Sequence, residues 1–206
     1  MDEEEIGRET SRLEAFSDGV FAIAITLLIL NIKVPGKDIG DGKLWEVLGQ
    51  QWADYLAYVI SFVTILVMWS AHHNIFRYIR RTDHPFLLIN GLLLMGVTIV
   101  PFPTSLLATH FSQENNARAA AAVYSGTFLF IALCFNALWV YASYKDRLLD
   151  KTQDVSSLQG IAWAYIAGPI LYLLALILSF FSLWTTVIIC ILLTIFYSLP
   201  SLVNRT

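Results

Sequence analysis

Long apolar segments separated by short polar connections dominate the pattern of this chain. Because about 20 predominantly apolar residues cross a bilayer as a helix, the pattern predicts an all-α integral membrane protein with six transmembrane helices. We expect the whole of residues 1–206 to form one six-span unit. The predicted spans are residues 12–34, 50–77, 84–110, 117–145, 158–180 and 184–203.

Local signals add detail to three of the predicted spans. The tripeptide Pro101-Phe102-Pro103 lies inside the third span, and because proline lacks a backbone N–H, it predicts a kink there. No charged residue occurs in residues 159–203. The fifth and sixth spans are therefore expected to form a tight hairpin that turns near residues 179–183.

Composition and charge exclude several classes of protein. The chain is 57% hydrophobic with a mean hydropathy of +0.63, above the roughly 45–50% apolar content of soluble domains. A net charge of −3, without basic stretches interleaved with aromatics, argues against a nucleic-acid partner. Cys134 and Cys190 lack metal-like spacing. No catalytic signature occurs, so we expect neither an enzyme nor a cofactor.

The distribution of basic residues predicts the orientation of the chain. With both termini on one side of the membrane, four of the 13 Lys and Arg residues lie on the opposite side and nine lie with the termini. The four are Lys33, Lys37, Lys43 and Arg118. Because cytoplasmic loops are enriched in Lys and Arg, we expect cytoplasmic termini and a multi-pass protein of the cell (plasma) membrane, in contact with lipid.

Apolar side chains recur along one side of the first span. At 100° per residue, Ile23, Leu27 and Leu30 fall within an arc of about 60°, with Thr26 at its edge. We number the first predicted helix, residues 12–34, as α1 and call these four residues the α1 stripe. Periodicity alone is typical of ordinary packing or a lipid-facing surface. Asp18 lies about 140° around the helix from Ile23, so we expect Asp18 to face protein.

Asp18 needs a partner because polar groups at membrane depth must be satisfied internally. The second span carries His72, His73 and Asn74 at a similar predicted depth before Arg77. We therefore predict that Asp18 and a histidine form a buried polar clamp that holds the first helix. Further members expected in this network are Trp69, Asn90 and Gly91.

Three functional classes remain open from the residues alone. A metal protein or membrane enzyme would use His72, His73 and Asp18, but adjacent histidines point about 100° apart, unlike the i, i+4 pair of H-E-x-x-H. We therefore expect no metal site. A cation- or proton-coupled secondary transporter is a second alternative, although the chain lacks the repeated halves of many transporters. The third class is a channel, in which an ion pathway along a central axis would need several copies of the chain.

The motif Arg12-x-x-x-Phe16-Ser17-Asp18 at the start of the first span adds a family resemblance. This motif and the apolar sequence that follows it resemble the signature of the transmembrane protein 175 family, potassium channels of endolysosomes and bacteria. The resemblance implies a potassium-selective cation channel whose first helices surround the pore. Bacterial members carry one six-span unit and assemble as homotetramers, and this single-copy chain resembles those members.

The same resemblance implies roles for individual residues. Ile23, Leu27 and Leu30 match the hydrophobic pore constriction of the family, and Thr26 matches a hydroxyl position linked to selectivity. The motif residues are expected to hold the pore helix to the rest of the subunit. These are Arg12, Phe16, Ser17 and Asp18. The chain has no T-V-G-Y-G sequence, so carbonyl rings of the ordinary potassium-channel type are not expected. Potassium would be the permeant ion rather than a cofactor.

Overall fold

The computed structural model describes residues 3–111, 113–149 and 155–198. These residues form eight α-helices, and a 3₁₀ turn, Leu28–Asn31, continues the first of them. The helices are α1 Glu3–Leu27, α2 Leu44–Gln50, α3 Trp52–Phe76, α4 His84–Ile99, α5 Pro101–His110, α6 Glu114–Ser143, α7 Val155–Ser179 and α8 Leu183–Ser198.

Four segments of the described chain are long and apolar enough to cross a membrane. They are Glu9–Asn31, Trp52–Phe76, His84–His110 and Asn116–Ser143. Two further apolar helical segments follow, Tyr165–Ser179 within α7 and Leu183–Ser198, the whole of α8. Residues 199–203 of the predicted sixth span lie outside the described residues. The prediction of an all-helical membrane protein is confirmed, and the first helix begins earlier and ends earlier than the predicted span.

The two local signals in the sequence have the expected structural effects. α4 ends at Ile99 and α5 begins at Pro101, because Pro101 has no N–H to donate to Val97. The Val97 carbonyl accepts instead from Val100 at 3.2 Å. α7 ends at Ser179 and α8 begins at Leu183. The structure thus shows a break in helical hydrogen bonding at the predicted proline site, and it confirms the predicted hairpin turn.

α1 packs through one face against α3 and α4. Ser17, Phe21, Ala24 and Leu28 are each no more than 1% exposed, and their spacing of three and four residues places them on a single side of the helix. This buried side fixes which residues α1 presents outward.

Hydrogen bonds gather three segments at one end of the bundle. The Thr10 hydroxyl donates to the Arg80 carbonyl at 3.3 Å, and the Arg80 N–H donates to the Leu148 carbonyl at 3.0 Å. Arg147 forms an ion pair with Asp83 at 3.2 Å. The start of α1, the α3–α4 connection and the segment after α6 therefore meet at one end. Consecutive long helices alternate in direction.

Gly96 is required where α4 crosses α6. A Cβ added at Gly96 would lie 2.8 Å from Ile131 Cγ1, whereas a Cβ at Gly91 on the same helix meets nothing within 4 Å. We expect Gly96→Ala to lower the melting temperature, since overpacking costs about 1–3 kcal/mol. Gly91→Ala should be neutral or stabilising because alanine favours helix. Thermal denaturation in one detergent measures both, and equal shifts would contradict this packing.

Candidate functional site

The α1 stripe is exposed in the single chain. Ile23 is 58%, Leu27 43% and Leu30 73% exposed. Thr26 is also exposed, and its hydroxyl donates to the Ile23 carbonyl oxygen at 2.9 Å. The stripe lies opposite the side that packs on α3 and α4. An apolar side of this kind on a membrane helix meets lipid, another subunit or a pore.

Arg12 and Phe16 extend the exposed side toward the start of α1. They precede Ile23 by eleven and seven residues, which places both within about 20° of Ile23 around the helix. Phe16 is 64% exposed, and Arg12 is exposed and makes no hydrogen bond or ion pair with another described residue. The expectation that these two motif residues hold α1 to its own subunit is therefore wrong for the single chain.

Ser17 anchors the opposite side of α1 through a chain of hydrogen bonds. Its hydroxyl donates to the Leu13 carbonyl at 2.8 Å and accepts from Asn90 Nδ2 at 2.9 Å. The Asn90 Oδ1 atom lies 2.9 Å from His72 Nε2. Because Oδ1 can only accept, Nε2 carries the proton and Nδ1 of His72 is unprotonated in the neutral ring. Both His72 and Asn90 are at most 1% exposed.

The predicted clamp between Asp18 and a histidine is wrong in its partners. Asp18 Oδ1 accepts a hydrogen bond from the Trp69 indole Nε1 at 2.8 Å, while His72 binds Asn90. Ser17 and Asp18 point about 100° apart on α1, so Ser17 faces α4 and Asp18 faces the side of α3 that carries Trp69. Trp69 and Asn90 are in the network as expected. Half-buried Asn74 forms no hydrogen bond with another described residue.

Glu14 is a member of the network that the sequence reasoning missed. Its Oε1 atom lies 3.0 Å from His73 Nδ1, and the His73 ring stacks on Trp69 at 6.0 Å. Glu14 and Asp18 are four residues apart on α1, as Trp69 and His73 are on α3, so the helices form an antiparallel two-rung ladder. The shared i, i+4 spacing was the signal available in the sequence.

A second contact that the sequence did not reveal holds the other end of α1. Asn31 Nδ2 donates to the Pro101 carbonyl at 3.2 Å, where α5 begins. Asn31 is the last residue of the 3₁₀ turn, and this turn changes the angle at which successive side chains leave the helix. In an α-helix Leu27 and Leu30 differ by about 60°, but in a 3₁₀ helix residues three apart eclipse. The turn therefore brings Leu30 close to alignment with Leu27.

The arrangement can hold a helix in a fixed position. Among the described residues, no group of three His, Cys, Asp or Glu side chains could hold a metal ion. His72 Nδ1 is buried without a hydrogen-bond partner. Its nearest aromatic neighbours are the rings of Phe76 at 4.4 Å and Phe21 at 5.4 Å. The network is therefore a structural anchor for α1.

Comparisons with known proteins agree with this fold. The family model described as endosomal/lysosomal potassium channel TMEM175 matches residues 12–101. A potassium channel of Chamaesiphon minutus is 53% identical over 94% of this chain and 95% of its own length. A potassium channel of Streptomyces collinus is 44% identical over 92% and 91%. The chicken (Gallus gallus) endosomal/lysosomal proton channel TMEM175 is 37% identical, over 66% of this chain but 28% of its own length.

Solved structures give the same result. The crystal structure of a lysosomal potassium-selective channel TMEM175 homolog from Chamaesiphon minutus superposes with a TM-score of 0.84, at 50% identity over 94% of this chain and 98% of that one. A variant of the potassium channel MtTMEM175 shares the fold at a TM-score of 0.65 and 24% identity. The fold defines an α-helical integral membrane protein. Sequence similarity identifies the family within this class: the chain belongs to the TMEM175 family. Its close relatives are channels by name, which confirms that it is not an enzyme.

Asn90 offers a direct test of the buried network. We expect Asn90→Ala to destabilise the protein by about 1–3 kcal/mol, because it leaves the buried His72 N–H without an acceptor and removes the hydrogen bond that Asn90 donates to the Ser17 hydroxyl. Asn74→Ala is the matched control, since Asn74 is half-buried and makes no hydrogen bond with another described residue. Thermal denaturation in nanodiscs reports both. Similar losses for the two variants would rule out a structural role for the network.

Proposed function

We propose that the chain is one subunit of a potassium-selective channel whose pore is lined by the exposed side of α1 from several copies. The observation that carries this proposal is the contrast between the two sides of α1. One side is buried and hydrogen-bonded to α3 and α4, while Ile23, Leu27 and Leu30 stand exposed. The potassium channel of Chamaesiphon minutus, at 53% identity, supports potassium as the ion.

The proposed assembly is a homotetramer of six-span subunits. A single α1 cannot enclose an axis, so the pathway requires several copies, and four is the number that the family resemblance implies. In this proposal residues 1–206 form one domain with both termini in the cytoplasm, and the protein lies in the plasma membrane in contact with lipid. The helices α7 and α8 would be its fifth and sixth spans.

The α1 stripe would form the narrowest part of the pore. Ile23 and Leu27 lie about 6 Å apart along the axis at 1.5 Å per residue, and Leu30 follows at a similar interval. Stacked apolar rings can close a pore by excluding water. An ion that passes them must shed part of its hydration shell, and potassium loses water at a smaller free-energy cost than sodium. Width and partial dehydration would thus favour potassium.

Thr26 is the candidate for a polar contact with the ion. Its hydroxyl proton is directed to the Ile23 carbonyl, which leaves the lone pairs of the hydroxyl oxygen available. A ring of such oxygens, one from each copy, could replace part of the water that the apolar rings remove. We assign Thr26 a role in selectivity, next to the constriction rather than in place of it.

The motif residues divide into two groups in this proposal. Ser17 and Asp18 hold α1 to its own subunit through Asn90 and Trp69. Arg12 lies on the exposed side, where guanidinium groups at the axis would oppose the entry of cations. We therefore expect Arg12 to pair with a carboxylate of the adjacent copy, with Phe16 packed in the same interface.

Substitution of Ile23 tests the constriction. We expect Ile23→Asn to hydrate the narrowest ring, raise ion flux and shift the reversal potential toward zero under a bi-ionic potassium/sodium gradient. The control is Ile188→Asn, because Ile188 has a similar exposure of 53% but lies on α8. Purified protein in liposomes, with single-channel recording, provides the measurement.

Two results would argue against the proposed pore. Equal effects of Ile23→Asn and Ile188→Asn would remove Ile23 from the ion pathway. Gradient-coupled potassium uptake without channel events would favour the secondary transporter instead. In that case the α1 stripe would be ordinary packing.

Asn31 allows a separate test of the apolar ring that Leu30 would form in the assembled pore. We expect Asn31→Ala to release the 3₁₀ turn from Pro101 at a cost of about 1 kcal/mol, so that Leu30 no longer aligns with Leu27. Asn31→Ala, Leu30→Ala and the double variant form a double-mutant cycle. We expect the change in conductance of the double variant to differ strongly from the sum of the two single changes. Asn116→Ala is the control, because the bond that Asn116 makes to a described side chain is a local one, to Gln113. Additive effects would show that Asn31 does not position Leu30.

A further inference from the structure

We propose that a cavity between α3, α6, α7 and α8 binds a small hydrocarbon group, supplied either by the end of a lipid acyl chain or by a free apolar solute. The cavity has a volume of about 70 Å³. Its walls include Ala71 from α3, Ala132 from α6, Gly168 from α7 and Thr194 from α8. It lies apart from the α1 stripe and plays no part in the proposed pore.

Small residues and a proline create this space. A Cβ at Gly168 would lie 2.9 Å from the Tyr197 hydroxyl, so a larger residue there would displace the Tyr197 side chain. The adjacent Pro169 lacks the N–H that would bond the Tyr165 carbonyl. Asn136 Nδ2 donates to that carbonyl instead, at 3.2 Å. The backbone carbonyl of α7 that Pro169 leaves without its usual donor is therefore hydrogen-bonded by a side chain. The α7 backbone can then keep its distance from the cavity.

Stacked aromatic rings keep the walls apart. Phe128 stacks with Tyr172 at 5.7 Å, and Phe135 stacks with Tyr165 at 6.0 Å and an interplanar angle of 11°. All four residues line the cavity. A ring that turned into the space would lose its stacking and its close packing. The cavity is thus a built feature of the α6–α7 interface.

The hydroxyl groups in the walls are mostly committed to protein partners. Thr194 donates to the Cys190 carbonyl at 2.9 Å and lies 3.1 Å from the Thr64 hydroxyl, while Tyr165 donates to the Ala71 carbonyl at 3.0 Å. The Tyr172 hydroxyl makes no hydrogen bond with another described residue. Almost all of the wall surface that faces the cavity is apolar, so a buried water would lack the two to four partners that it needs. The cavity therefore favours an apolar occupant.

Size and access narrow the choice of occupant. The volume of about 70 Å³ exceeds the roughly 10–15 Å³ of a cavity that holds one water and is smaller than the roughly 150 Å³ of a cavity that takes benzene. An ethyl or propyl group, or a xenon atom, fits between these limits. Val67 and Pro169 in the wall are only half-buried. The cavity therefore reaches the surface of the chain, where membrane hydrocarbon can enter.

Xenon binding tests the proposal without reference to channel activity. Crystals of the full chain are pressurised with xenon, and anomalous scattering locates the bound atoms. We expect a xenon peak in the cavity of the wild type and none in Ala132→Leu, which fills the space. Ala137→Leu adds the same volume at an exposed position of α6 and should retain the peak. If Ala132→Leu does not fold, Ala71→Val fills the opposite wall.

A second arm identifies the source of the occupant. The protein is crystallised with a phospholipid that carries bromine at the ends of its acyl chains. A bromine peak in the cavity would support the proposal with lipid as the source, and xenon without bromine would support it with a free solute. Absence of xenon from the wild-type cavity, or its persistence in the filled variant, would overturn the proposal.

Discussion

The rotation of α1 about its own axis is fixed by hydrogen bonds at membrane depth. Ser17 is bonded through Asn90 to His72, and Asp18 accepts from Trp69. Polar groups in hydrocarbon must find partners within the protein, so any rotation that broke these bonds would be strongly opposed. With one side of α1 held in this way, Ile23, Leu27 and Leu30 can only point outward.

An outward apolar side on the helix that carries the family motif has a functional consequence. The anchor acts at one end of α1 through the ladder to α3, and Asn31 holds the other end to the start of α5. Between these two contacts the helix presents its stripe at a defined angle. A pore constriction requires this property, because side chains from separate copies must meet at the same height and in the same orientation.

The features that the sequence predicted correctly are those that depend on local sequence and on the geometry of a single helix. The helix break follows from the missing N–H of Pro101, and the hairpin after Ser179 follows from the lengths of the apolar segments. The angular position of the stripe follows from α-helix geometry. The partners of Asp18 could not be predicted, because they depend on how α3 is rotated, and equal depth does not distinguish Trp69 from His72. The 3₁₀ turn that ends in Asn31 also carries no clear sequence signal.

Thiol accessibility along α1 tests the central claim most directly. Residues 20–30 are replaced by cysteine one at a time in the membrane-reconstituted protein and treated with a hydrophilic, membrane-impermeant thiol reagent. Cys134 and Cys190 are buried and should contribute little background. The proposed pore predicts reaction and loss of potassium flux at Ile23, Leu27 and Leu30, and protection at Ala24 and Leu28. Protection of the whole stripe, or reaction without regard to helix phase, would contradict it.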